Sequence, residues 1–207
     1  MDNNGLVRAK RKDNGEWVRG WLLGNNFIVT DIERLSETIA FTHYEIIPET
    51  VGRYTGFKDK NKDEIAEGDI IAFWVCYSTT QIHSGDNIPW GYYSEPDEPQ
   101  LLRLLGKVIY DEERAMFSFE LVSEEPYQYS NAFDYIVYDD FIPIIFRKTY
   151  SEEYIKYVMD WEEIEEEELN KEIKEYGFDS MADMVEQLNE IEKIGNAFDN
   201  SELLGQK

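Results

Sequence analysis

The chain is poor in the residues that most often carry covalent or metal chemistry. It has one cysteine, Cys76, and two histidines, His43 and His83, in 207 residues. A single cysteine excludes an intrachain disulfide framework, and its apolar neighbours point to a buried, reduced thiol. A structural zinc site wants about four Cys or His ligands, and neither a CxxC nor an HExxH spacing occurs. Cys76 with a histidine lacks the flanking residues of a nucleophilic site, so structural roles are expected for all three. Glycine-rich phosphate loops are missing too, and no metal or cofactor is expected. Bases are scarce: 20 Lys+Arg stand against 44 Asp+Glu, a formal charge of −24. Such a chain repels nucleic acid and anionic membrane and is drawn to basic surfaces. No run approaches the ~20 apolar residues of a membrane span. None follows Met1 either, so a soluble, intracellular protein is expected.

What is present is the material of a core and a skewed charge. Hydrophobic residues make up 42% and aromatics 14%, which favours a folded chain over disorder. Residues 150–193 hold 16 acids against four bases, a net charge of −12 and half of the whole excess.

Along the chain, residues 6–12 alternate apolar and basic side chains up to the turn Asp13-Asn14-Gly15, and residues 17–23 read as the return strand. An Asn-Gly turn between β-prone runs predicts a hairpin. Residues 27–30 form a further strand, whereas 37–41 fit either strand or irregular structure. The centre of the fold is expected at 48–74: a β-prone run at 51–55, an Asp/Asn-rich loop at 57–63, a Glu67-Gly68-Asp69 turn and a buried strand from Ile70. Residues 78–99 form a polar connection punctuated by Gly and Pro, long for a compact domain. A hairpin is predicted from 101–110 and 115–122, with Phe117, Phe119 and Leu121 on one buried face. Residues 135–138 and 141–146 are further strands, with Pro143 best placed on an edge. Ser151 then caps one acidic amphipathic helix over 152–175, ending near Gly177. A second helix covers 179–188, residues 191–197 are ambiguous, and 199–204 form a turn with a last apolar contact.

Few chemical constellations survive scrutiny. Asp59, Asn61 and Asp63 alternate like calcium ligands, but Glu64 replaces the required glycine and Ile70 the closing glutamate, leaving an Asx-rich turn. No catalytic carboxylate pair can be singled out among 44 acids. The basic cluster Arg8, Lys10, Arg11, Lys12 is outweighed by the net charge as a nucleic-acid site and reads as a solvated strand edge. The acid run is different. Its simplest account is a solvated helix face. Carboxylates on a helix rising 1.5 Å per residue also approach the spacing of duplex DNA, one charge per ~1.7 Å of axis. The candidate partner-binding residues are therefore Glu162, Glu163, Glu165, Glu166, Glu167, Glu168, Glu172 and Glu175.

Three stretches carry a family likeness. They are Lys-Arg-Lys-Asp-Asn-Gly-Glu-Trp-Val-Arg-Gly over 10–20, Pro-Glu-Thr-Val-Gly-Arg-Tyr-Thr-Gly-Phe-Lys-Asp-Lys-Asn opening 48–70 with Glu-Gly-Asp-Ile at its end, and Ile-Gly-Asn-Ala-Phe-Asp-Asn-Ser-Glu-Leu-Leu over 194–204. The chain resembles the YopX family of phage and prophage proteins. Gly-Lys-Val-Ile-Tyr-Asp over 106–111 is similar to the family's following barrel strand. The resemblance implies an SH3-like small β-barrel after an N-terminal β-rich part, and a phage or prophage origin with a cytoplasmic place in the host cell. It leaves homo-oligomerisation open and implies no enzymatic activity. Family members reach the closing Ile-Gly-Asn segment over a shorter link, whereas residues 123–190 intervene here.

The expected class is thus α+β: mainly antiparallel β with an SH3-like barrel plus an inserted acidic helical segment. Its parts are 1–47 (N-terminal β), 48–150 (barrel), 151–190 (inserted helices) and 191–207 (closing segment). The expected function is a non-enzymatic phage binding protein. Its acidic face would mimic nucleic acid and inhibit a host defence protein with a basic groove, such as a CRISPR or restriction nuclease. The alternatives are an oligomeric assembly protein, self-associating through Tyr154, Val158, Trp161 and Ile164, and a hydrolase built on carboxylates without a recognisable signature.

Overall fold

A computed structural model of the chain describes residues 5–35, 38–77, 80–84, 92–96, 100–113, 115–122 and 150–204. The first pairing follows from the Asn-Gly turn. Gly15 takes the left-handed backbone the turn needs, with φ 73°. β1 (Leu6–Lys10) therefore returns as β2 (Trp17–Leu23), with Lys10 opposite Trp17. β3 (Phe27–Leu35) and β4 (Thr38–Glu45) extend the meander, so the stretch left open at 37–41 is largely strand. A 3-10 turn at Pro48–Thr50 then redirects the chain. β5 (Gly52–Lys58) comes back beside β1, and β6 (Glu64–Ala66) pairs with β5. The sheet order is β4-β3-β2-β1-β5-β6.

One face of this sheet buries Val7, Ala9, Ile28 and Ile46, with Val18 and Val51 against them. Burial of each large aliphatic side chain contributes roughly 1.5–3 kcal/mol. Strand packing is close enough to require glycine at position 20. A Cβ there would meet the Val29 carbonyl oxygen at 2.1 Å and Ile28 Cγ2 at 2.7 Å.

β7 (Asp69–Tyr77) is buried continuously from Asp69 to Phe73, as its apolar run predicts. The polar stretch after it is more than a connection. It holds β8 (Thr80–Ser84) and β9 (Tyr92–Pro96), paired from Thr80–Pro96 to Ser84–Tyr92. β10 (Gln100–Asp111) and β11 (Met116–Leu121) form the expected hairpin, with Phe119 buried. The second sheet runs β11-β10-β7-β12, where β12 is Glu192–Asn196, the segment that composition left ambiguous. The strands expected at 135–138 and 141–146 lie outside the described residues.

Among the described residues three helices follow: α1 (Glu152–Val158), α2 (Glu166–Glu175) and α3 (Met181–Leu188). The single helix expected over 152–175 is two. Asp160 adopts φ 57°. The N–H of Trp161 bonds the Lys156 carbonyl at 2.8 Å, and that of Asp160 reaches Tyr157 O at 3.4 Å. This is a Schellman stop, with Asp160 at the position glycine usually fills and Trp161 folding back apolar onto the helix. α2 ends the same way at Gly177 (φ 90°), with Phe178 N–H on Ile173 O at 3.1 Å. Ser151 and Ser180 cap α1 and α3 through their hydroxyls.

The class is α+β, mostly antiparallel. Among the described residues no pairing closes a barrel, although an isolated bridge from Arg11 to Ile46 draws the ends of β1 and β4 together. The chain divides into two units. Residues Met1–Ile71, Leu105–Glu124 and Glu192–Lys207 make the first, and Ala72–Leu104 with Glu125–Ile191 make the second. The core of the second is Tyr150, Ile155, Met159, Trp161, Ile173, Phe178, Met184 and Leu188, packed with Trp74 and Leu101.

Candidate partner-binding surface

α2 explains where the acid run lies. Leu169 and Ile173, four residues apart, turn to the helical core, and Ile173 is fully buried. Glu162 and Glu163 stand exposed in the turn before α2. Glu165 is the N-cap residue, but its side chain makes no cap hydrogen bond. Glu166, Glu167 and Glu168 fill the first turn, all exposed, where the helix dipole favours negative charge. Glu172 is half-buried and Glu175 exposed at the far end.

The structure thus places Glu162 to Glu168 on one exposed turn and helix start, with Glu172 one turn beyond Glu168 but half-buried, and Glu175 at the far end. Two lysines interrupt the row. Lys171 pairs with Glu175 at 3.4 Å, and Lys174 lies in the last turn. The run of acids is therefore not continuous along the helix. None of Glu162, Glu163, Glu165 to Glu168 or Glu172 forms an ion pair among the described residues.

The four side chains proposed for self-association are not an outward face. Trp161 is buried, and Tyr154, Val158 and Ile164 pack against the same cluster. Apolar spacing on the helix marked them as a surface, but the break at Asp160 folds them inward. Tyr157 is the outward aromatic there, 68% exposed.

In the first unit the charges are wired to one another. Asp69, 1% exposed, accepts from Arg8 Nη2 at 2.7 Å, from the Ala66 N–H at 2.8 Å and from Asn196 Nδ2 at 3.3 Å. One carboxylate thereby joins β1, β6 and β12. Asp199 accepts from Lys10 Nζ and from Trp17 Nε1, the latter at 2.7 Å. The Lys10 bond holds its carboxyl below the usual range against some burial, with Trp17 helping. Arg11 pairs with Asp13 at 2.5 Å and Lys12 with Glu45 at 2.5 Å. The basic cluster is therefore neutralised internally. Nor is it a strand edge, because β1 lies between β2 and β5. The partners sit up to 189 residues away in sequence, which is why composition could not show them.

Beside this network is a recess of about 270 Å³ lined by Arg8, Trp17, Arg19, Tyr54, Asp63 and Lys193 among others. Arg8 lies 4.8 Å over the Trp17 ring and Arg19 4.7 Å over Tyr54, whose phenol burial pushes up. Arg19 also pairs with Glu64, and Lys193 Nζ donates to the Glu64 carbonyl at 3.0 Å. These cations already have partners in the fold.

Asp59 resolves the loop that resembled a calcium site. Its Oδ1 accepts the N–H groups of Asn61 at 2.9 Å and Asp63 at 2.8 Å. Its Oδ2 faces the Lys193 N–H at 3.4 Å. The carboxylate fixes an Asx turn to β12. Among the described residues no group of three or more His, Cys, Asp and Glu side chains is placed to hold a metal ion. His43 is exposed between Phe27 and Phe41, each ring 5.6 Å away. The side chains of Cys76 and His83 lie outside the description. No helix of the described residues is long and apolar enough to cross a membrane.

The second sheet face was missed by pattern reasoning. On β2–β4, Trp21, Leu23, Phe27, Ile32, Ile39 and Phe41 are all exposed. The available signal was Trp21-Leu22-Leu23, an unbroken apolar run that makes both faces of β2 apolar.

An antiparallel β framework wired by buried charge, with a separate unpaired carboxylate surface, is the class these features define. The chain belongs to the YopX protein family, whose model matches residues 7–139. The match runs from β1 past β11 and stops before α1, so the helices and β12 lie beyond it. No curated protein and no solved structure matches the chain. Membership in the family suggests a phage-related protein.

Proposed function

We propose that this is a non-enzymatic, phage-related binding protein that presents Glu162, Glu163 and Glu165 to Glu168 to a basic surface on a host protein. The reading favours a groove built for nucleic acid as the target, and so inhibition of a nuclease of the CRISPR or restriction type. One observation carries it. These six acids lie within seven consecutive positions and are exposed and unpaired, whereas in the first unit exposed acids such as Glu45 and Asp13 hold a cation and the unpaired Asp31 and Glu33 are only two. Glu172 and Glu175 contribute less, one being half-buried and the other held by Lys171.

Capture from host lysate identifies the target, and competition with labelled duplex DNA then measures the inhibition. Reversing Glu165, Glu166, Glu167 and Glu168 to lysine is expected to weaken inhibition at least tenfold with the fold unchanged. Raising salt toward ~200 mM is expected to weaken the wild type as well, because exposed charges are screened within about 8–10 Å. Inhibition that survives both changes removes this face from the function.

A further inference from the structure

On β2–β4, one face of the first unit's sheet leaves a group of large apolar side chains exposed among the described residues. β-sheet register puts Trp21 opposite Val29, Leu23 opposite Phe27, and Ile32 opposite Phe41. Phe41 and Ile39 share a face of β4 by period two. Six large apolar side chains, Trp21, Leu23, Phe27, Ile32, Ile39 and Phe41, are thus contiguous, with exposures from 37% for Phe27 to 66% for Ile39. At full side-chain areas of ~150–250 Å², half-exposed residues leave about 600 Å² open. That is at the top of the roughly 300–600 Å² found for the largest patch of a monomer. It approaches the ~800 Å² per partner of a stable interface.

The patch ends on an open edge. Among the described residues β4 is the terminal strand of the six-stranded sheet and pairs with β3 alone along 38–45. Among them only its last residue, Glu45, is engaged on the other side, by the Lys12 N–H at 2.9 Å. From Ile39 to Tyr44 the strand contains no lysine or proline, the residues that usually block an edge. Every second residue of such an edge turns its N–H and C=O outward.

The opposite side of β3 and β4 gives the occupant its charge. Asp31 and Glu33 stand opposite Thr42 and Ala40, on the face away from Phe41. Both are exposed, and neither has an ion partner among the described residues. A second copy paired through β4 would bring these acids toward their own equivalents, within a chain of net charge −24. A strand alternating apolar and basic residues would instead continue the apolar face on one side and answer the acids on the other. We infer that the edge of β4 receives an extended segment of this kind from a basic partner protein, added as an antiparallel strand. This surface is separate from the acid cluster of α2 and does not rest on the function proposed for it.

The probe is a ten-residue peptide alternating lysine and valine, with its glutamate–valine counterpart as control. Anisotropy reads binding to the full chain, and hydrogen exchange reads protection at 38–45. The lysine peptide is expected to bind at least tenfold tighter than the glutamate peptide and to slow exchange at β4 at least tenfold. Ile39→Lys with Phe41→Lys, both at exposed positions, should reduce binding at least tenfold. Asp31→Lys with Glu33→Lys should lessen the preference for the basic peptide, and the Glu165–Glu168 reversal should leave binding within twofold. Equal binding of the two peptides overturns the inference, as does binding lost only in the α2 variant. A wild-type dimer that becomes monomeric on Ile39→Lys/Phe41→Lys also overturns it, assigning the face to a second copy.

Discussion

The two units use carboxylates in opposite ways. In the first unit Asp59, Asp69 and Asp199 each collect two or more donors, and each ties strands that are distant in sequence. In the second, the densest run of acids in the chain faces solvent from one turn and one helix end, with no cation from its own unit opposite it. A buried carboxylate holds its place only when its lone pairs are met, because desolvation of an unpaired charge is costly. An exposed one makes no such demand and is free to meet something else. The difference separates acids that build the fold from acids that the fold displays.

The sharpest way to break this contrast is to remove a single acid from the first unit. Asp69→Ala leaves the part-buried Arg8 without its carboxylate, with only the Glu67 carbonyl among the described residues to accept from it, and frees the Ala66 N–H and the Asn196 amide. Breaking a buried pair from one side costs about 3–5 kcal/mol. Urea unfolding should report a loss of that size, although the change also relieves one unit of charge repulsion. The double variant Arg8→Ala/Asp69→Ala should be more stable than the sum of the two single losses implies. A loss for Asp69→Ala below about 1 kcal/mol would show that the carboxylate does not join the strands.

Helix ends give a smaller and opposite effect in the second unit. Asp160 holds a left-handed backbone that costs an ordinary residue roughly 1–2 kcal/mol, less for Asp or Asn. Asp160→Gly should therefore stabilise the protein by about 0.5–1 kcal/mol in the same assay. If it destabilises, the chain at 158–161 does not make the turn that parts α1 from α2.

These elements also show what could be read from residues alone. The Asn-Gly hairpin, the buried run from Ile70, the β10–β11 hairpin, the Ser151 cap and the stop at Gly177 follow from local chemistry, and each was legible. The stop at Asp160 was not, since the same Schellman geometry is reached there without glycine and Trp161 looked like a continuing helix position. β8 and β9 were hidden in a stretch whose glycines and prolines suggest only a loop. The three family-like stretches were read one by one, as a hairpin, a strand–loop–strand and a closing turn, yet they meet in space: Lys10 and Trp17 from the first and Asp69 from the second engage Asp199 and Asn196 from the third. Only long-range pairing shows that. The acid surface was legible as charge, but the partial burial of Glu172 and the pairing of Glu175 with Lys171 needed the helix boundaries. The apolar face on β2–β4 needed the register.

Acidification separates the two uses of carboxylates more gently. The Asp199 carboxyl titrates below its unfolded value because Lys10, then Trp17, donate to it. A depressed folded pKa contributes stability that is fully present above the unfolded value near 4 and is lost as pH falls through the folded value. Asp199→Asn should flatten part of the stability curve below about pH 4 and leave it unchanged at neutral pH apart from a uniform offset. A wild-type curve that loses stability above pH 5, with the variant following it, would place the controlling group elsewhere.

The smallest effect on stability is expected from the largest change in charge. Converting Glu165, Glu166, Glu167 and Glu168 to glutamine removes four negative charges from a few ångströms of helix. Two terms oppose each other. Acids in the first turn gain about 0.3–1 kcal/mol each from the helix dipole at low salt, and neighbouring like charges on one helix lose several tenths each. With every side chain exposed, the balance should lie within about 0.5 kcal/mol, as for surface substitutions in general. Binding to a basic partner should fall steeply in the same variant. One buried acid removed from the first unit would then outweigh four exposed acids neutralised in the second by several kcal/mol in folding, with the order reversed in association. If the fourfold variant loses stability on the scale of Asp69→Ala, the acids of α2 belong to the fold after all, and the distinction between the two units fails.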